Sequence, residues 1–151
     1  MIMINSREEI IKCLREYFDR NASRYELEMV FLYGSWARGF PTNDSDVDIA
    51  VIFLDELSSD DDSFGRITNI SLSLSRALGR EVDVIRVYKD FRKPMLYYNA
   101  VTLGLPVYIQ EQNKYIRIKN DALYHMEDFS IFGIDWQHHV AAKNLEEVRR
   151  A

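Results

Sequence analysis

The chain reads as an α/β (α+β) protein, a short mixed β-sheet flanked by helices. Three observations predict this. Short apolar runs end at turn-forming residues, longer segments repeat apolar residues at helical spacing, and the two kinds alternate closely along the chain. The order is helix, strand, strand, helix, strand, helix, strand, helix, which suits one layer of sheet with the helices drawn on one side. At 151 residues the chain is long enough for one core and too short for two. It is expected to be a single domain over residues 1–151, with a C-terminal helical extension from about residue 115.

The elements follow in order. Ser6 and Glu9 form a capping-box pattern, and Ile10, Ile11, Leu14, Tyr17 and Phe18 recur at helical spacing, predicting a helix over Arg7–Asn21. Residues 29–33 are a short apolar run ending at Gly34, a buried strand that enters a tight turn. Residues 34–45 are polar and rich in turn formers, and residues 49–54 make a second strand. Asp60, Asp61 and Asp62 precede Ile67, Ile70, Leu74 and Leu78, placing an acidic cap on the positive end of a helix that Gly79 stops. Residues 82–87 form a third strand, residues 94–103 a helix, and residues 106–110 a fourth strand with Pro106 at its start, as an edge tolerates. From residue 115 one or two helices are expected, interrupted near Gly133.

Composition narrows the function classes. The net charge is −5 and the basic residues are scattered, apart from Lys89, Arg92 and Lys93 and the pair Arg149–Arg150. Extended nucleic acid, which needs a basic stripe to displace counterions, is disfavoured as a partner. No apolar run approaches the roughly 18 residues of a membrane span. A single cysteine, Cys13, allows no internal disulfide, and no leader pattern opens the chain, so the expected location is the cytoplasm.

The chemistry concentrates between residues 31 and 51. Gly34-Ser35 closes one strand, and Asp46-Val47-Asp48 opens the next after ten intervening residues. Residues two apart on a strand share a face, so Asp46 and Asp48 project together while Val47 turns to the core. Two carboxylates about 4 Å apart repel by roughly 4 kcal/mol at an effective dielectric near 20, and a cation relieves that. Hard oxygen ligands at this spacing suit magnesium. Asp83, an acid among Val82, Val84 and Ile85, supplies a third carboxylate if its strand lies beside the second. Gly34 lets backbone amides approach a phosphate, the Ser35 hydroxyl donates to it, and Arg38 reaches it with a planar fork.

Blander readings stand beside these. Asn43-Asp44-Ser45 is turn-forming by itself, Asp83 has Arg80 and Arg86 as structural partners, and Arg38 is also an ordinary loop arginine. A calcium loop beginning at Asp44 is rejected, because Ile49 and Asp55 stand where glycine and a bidentate glutamate are required. His125, His138 and His139 lack supporting acids at ligand spacing and are assigned no role.

The Gly34-Ser35 pair, the spacing to Asp46-x-Asp48 and the downstream Asp83 resemble the signature of the nucleotidyltransferase superfamily that includes DNA polymerase beta. Gly34, Ser35, Ala37, Arg38 and Gly39 match the turn of its minimal members, with Trp36 where many carry a smaller or polar residue. Beyond Asp83, the layout with Gly104 and Tyr108 resembles the MntA antitoxins of HepT–MntA toxin–antitoxin systems. The resemblance implies a nucleotidyltransferase fold and transfer of AMP from ATP to a tyrosine on a HepT-like (HEPN) toxin, a type VII system. It implies two magnesium ions on Asp46 and Asp48, with Asp83 completing one site, and triphosphate bound by Gly34, Ser35 and Arg38. So short a chain has little room for an acceptor-binding domain, so the missing surface is expected from a partner chain or from self-association. Two alternatives are an aminoglycoside-type enzyme acting on a small molecule and a non-catalytic antitoxin that masks its toxin.

Overall fold

A computed structural model describes residues 6–39, 46–54 and 60–150. The order is α1 (Arg7–Asn21), β1 (Leu27–Tyr33), α2 (Ser35–Arg38), β2 (Val47–Phe53), α3 (Asp60–Leu78), β3 (Val82–Arg86), α4 (Pro94–Tyr97), a π-helical turn (Tyr98–Thr102), β4 (Leu105–Ile109) and α5 (Gln112–Arg150). The strands lie in the order β3-β2-β1-β4. β1 runs antiparallel to both β2 and β4, while β2 and β3 are parallel, so the sheet is mixed.

Local chemistry accounts for the element ends. The Ser6 hydroxyl accepts from the Glu9 amide at 3.5 Å and starts α1, as the capping pattern predicts. Gly79, at φ 65°, ends α3. β4 is an edge strand, which accommodates Pro106.

Helices cover both faces of the sheet, not one. On the first face Ile10, Leu14 and Phe18 of α1 and Ile70, Leu74 and Leu78 of α3 pack on Val30, Leu32, Ile49 and Val51. On the second, Tyr97, Ala100, Val101 and the α5 residues Ile118 and Ala122 pack on Met29, Phe31, Ala50 and Ile52. The reason lies in the central strands: β1 and β2 are near-continuous apolar runs, and a strand without alternation is buried on both sides.

Two further expectations need correction. Residues 94–103 are not one helix, because a single α-turn passes into the π-helical turn before Leu103. There Gly104 is pressed against backbone: a β-carbon on it would overlap the Ala100 carbonyl oxygen and lie 2.9 Å from that of Leu32. α5 also runs unbroken through Gly133, since one interior glycine costs a helix only about 1 kcal/mol. Asp44 lies outside the described residues, as do the side chains of Asp60, Asp61, His138 and His139. His125 stacks on Phe91 with ring centroids 5.0 Å apart, a packing role.

Candidate active site

Two tripeptides, Asp46-Val47-Asp48 and Glu81-Val82-Asp83, lie side by side. Val47 is opposite Val82 and Asp48 opposite Asp83 in the parallel register, and the Val47 amide donates to the Glu81 carbonyl at 3.0 Å. Strand alternation therefore buries the two valines among α1 and α3 and puts the four acids on the other face. One carboxylate oxygen each from Asp46, Glu81 and Asp83 falls within 4.8 Å of the other two. Glu81 was not anticipated. Its signal was the repeat of the acid-valine-acid pattern, which acquires meaning only once the two strands are paired.

Asp48 stands deeper, outside that tight trio. Its half-buried carboxyl is pushed above the usual range, first by burial and then by the charges of Asp83 and Asp46. Across from it on β1 is Tyr33. Burial first, then Asp48 and Asp83, push the Tyr33 phenol up to about 12, so it stays protonated and a donor at neutral pH. Tyr33 too was missed, because the sequence does not reveal which β2 residue it pairs with.

Gly34 links strand to turn at φ 76° and ψ −154°, a region nearly restricted to glycine. A β-carbon there would also overlap Asp48 Oδ2. The glycine is thus required twice, by its own backbone and by the carboxylate against it. Ser35 opens α2 directly after it, and Arg38 is exposed in the last residue of that turn, whose end Gly39 closes at φ 85°. Trp36 points into the core beside α1 and α3, with the Arg80 guanidinium 4.7 Å from its ring centre. Arg86 donates to Ser63.

The turn and the acids are braced from the first face. Arg7 of α1 donates through Nε to the Trp36 carbonyl at 2.9 Å and through Nη2 to that of Ala37 at 3.0 Å. On α3, the Ser71 hydroxyl donates to the Val82 carbonyl at 2.6 Å, and the Ser75 hydroxyl accepts from the Val82 amide at 3.2 Å. Two serines four apart on one helix thereby hold the backbone between Glu81 and Asp83. Arg7→Ala is expected to lower stability by about 1 kcal/mol, or roughly 2–4 °C in Tm, read in a thermal melt. Arg7→Lys, with a single point charge in place of the fork, should recover less than half of that loss.

The donor set is all oxygen and all acidic. Three clustered carboxylates with a fourth whose ionised form is disfavoured fit a hard divalent cation, which would offset both the mutual repulsion and the desolvation of Asp48.

A mixed sheet lifts acids from adjacent strands beside a glycine–serine turn, the arrangement expected of a nucleotidyltransferase. The chain belongs to the family described as "Polymerase beta, Nucleotidyltransferase", matched over residues 8–113, and is an enzyme of that class. It is 28% identical over 122 residues to the protein adenylyltransferase MntA of Shewanella oneidensis, covering 79% of this chain and 77% of that one. It is 36% identical over 77 residues to a provisionally named protein adenylyltransferase of Methanocaldococcus jannaschii, covering 51% of this chain and 74% of that one. The same fold occurs in a crystal structure of a toxin–antitoxin with AMP-PNP, at TM-score 0.63 and 21% identity, covering 91% of this chain and 99% of that one.

Among the described residues, no helix is long and apolar enough to cross a membrane.

Proposed function

We propose that this chain is a magnesium-dependent adenylyltransferase that moves AMP from ATP to a tyrosine hydroxyl on a partner HepT-like (HEPN) toxin, acting as the antitoxin of a type VII system in the cytoplasm. The observation that carries this reading is the clustering of Asp46, Glu81 and Asp83 carboxylates at one end of the sheet, with Asp48 opposite Asp83 in the strand register and Gly34 packed against Asp48. The likeness to MntA supports the acceptor class. Further support comes from the same fold in a complex of a tri-AMPylated Shewanella oneidensis HEPN toxin with its MNT antitoxin, at TM-score 0.61 and 16% identity, covering 87% of this chain and 98% of that one.

Asp46, Asp48 and Asp83 would hold two magnesium ions, which when bound neutralise the triphosphate and stabilise attacking and leaving oxygens. The Gly34 and Ser35 turn binds the β and γ phosphates, with Arg38 assisting from the last residue of the turn. The acceptor oxygen attacks the α-phosphorus, the bond from that phosphorus to the bridging oxygen breaks, and pyrophosphate leaves. The hydroxyl proton passes to Asp83, whose carboxylate is exposed and reachable by an incoming side chain. Residues 1–151 serve as one nucleotidyltransferase domain with the long C-terminal helix as an extension, and the surface that presents the acceptor comes from the partner.

The test is to incubate the chain with labelled ATP, magnesium and a HepT-like protein encoded beside it. Label is expected on a toxin tyrosine, absent when EDTA replaces magnesium. Protection from the toxin without any label would sink the enzymatic reading in favour of masking, and label on an aminoglycoside instead would move the acceptor to a small molecule.

A further inference from the structure

Beyond the C-terminal end of β3 lies a cavity of about 390 Å³, away from the clustered acids at its start. It is lined by Ile85, Arg86, Tyr88, Arg92, Lys93, Leu96 and Tyr97, so three cations and two phenol rings face one small space in a chain of net charge −5. We propose that this cavity is a second anion site, which takes a phosphate group carried on a planar body, the chemistry of a nucleoside monophosphate. It is separate from the proposed transferase centre and does not depend on that reading.

Arg86 is the reason. Its side chain belongs to a residue only 8% exposed, and the ion pairs formed by Arg66, Lys89, Arg92 and Lys114 do not include it. Among the described residues its Nη1 donates to the neutral Ser63 hydroxyl, and Nε is buried without a partner. A buried guanidinium with an unmet donor is costly, and ring faces offset only part of that cost. Arg86 has two such faces, at 5.3 Å from the Phe53 ring centre and 4.3 Å from that of Tyr88.

A second guanidinium is brought to the same ring. Arg92 lies 3.7 Å from the centre of Tyr88 and is held by Asp90, Nη2 to Oδ2 at 3.0 Å. The turn between Tyr88 and Arg92 contains Phe91 at φ 50°, a conformation an aromatic residue adopts only when its surroundings impose it. Two like charges gathered on one ring, with Lys93 beside them and no acid among the lining residues, make a positive cavity suited to an anion. Guanidinium forks match the oxygens of phosphate in pairs, and the tyrosine and leucine walls suit the flat part of a nucleotide. The volume is in the range of small-ligand sites.

The test is calorimetric titration of the full chain with AMP and, separately, with inorganic phosphate, both in EDTA so that no divalent ion supports the acidic centre. Binding is expected for AMP and, more weakly, for phosphate. Arg92→Gln and Lys93→Gln, both at exposed positions, should each weaken AMP by roughly tenfold, while Asp48→Asn leaves it unchanged. Arg86→Gln should abolish it, with a melt to confirm folding. Equal affinity for phosphate and AMP would still support the anion site and remove the planar part of the ligand. No binding in EDTA, or binding lost with Asp48→Asn and indifferent to Arg92 and Lys93, would overturn the proposal. Those results distinguish it from failure of the transferase reading, which is scored by label transfer alone.

Discussion

Asp48→Asn is expected to lower the proposed AMP transfer by at least about 10³-fold while making the ion-free protein more stable. The loss corresponds to roughly 4 kcal/mol of transition-state stabilisation, the scale of removing a charged group that organises a metal-assisted phosphoryl transfer. The gain follows from the same residue's electrostatics. The folded-state pKa of Asp48 is raised above its ordinary value, by burial and then by Asp83 and Asp46. The folded chain therefore binds this proton more readily than the unfolded one. Stability falls as pH rises from the ordinary carboxylate range through the raised pKa, and the deficit persists at neutral pH. Asparagine keeps the shape without the charge, so Tm in EDTA should rise by roughly 1–4 °C at pH 7 and the difference should shrink on acidification. Magnesium should raise the Tm of the parent chain by mass action and leave the variant nearly unmoved. A variant that melts lower in EDTA at neutral pH would contradict the electrostatic account.

Gly34→Ala should be the second large effect, on fold and reaction together. The backbone at φ 76° and ψ −154° costs a non-glycine residue about 1–3 kcal/mol. The added methyl overlaps Asp48 Oδ2 as well, so either the turn or the carboxylate must move. The expected result is a Tm lower by at least roughly 4 °C and AMP transfer reduced by about 10²-fold or more, because a shift of an ångström at a positioned group is enough for that. The two sources separate in a double-mutant cycle. In an Asp48→Ala background the overlap is gone and the backbone strain remains, so Gly34→Ala should destabilise the double variant less than it destabilises the parent chain. Strict additivity would show that the carboxylate and the turn do not touch.

Much of the candidate site's placement was legible in the sequence. Ser6 and the apolar spacing of α1 marked that helix correctly at both ends, since capping and periodicity are local. Gly34-Ser35 and Asp46-x-Asp48 were readable because a tight turn and a strand each declare themselves within a few residues. Glu81, Tyr33, Arg7, Ser71 and Ser75 were not, since each acts on an element at least four residues away, and most on one far off in the chain. The π-helical turn after Tyr97 was invisible for a similar reason: the close approach of Gly104 to the Ala100 and Leu32 carbonyls is a tertiary contact.

From the sequence alone came the identity of the chemical groups and which of them share a strand face, because a strand repeats every two residues and a turn announces its glycine. What only the folded chain decided was the pairing of β2 with β3 in parallel register. That register turns two separate acid-valine-acid triplets into one cluster, since parallel strands become neighbours only when a crossover connection carries the chain back between them. Here α3 is that crossover, and its apolar face and two serines place Val82 where the carboxylates of Asp46, Glu81 and Asp83 converge.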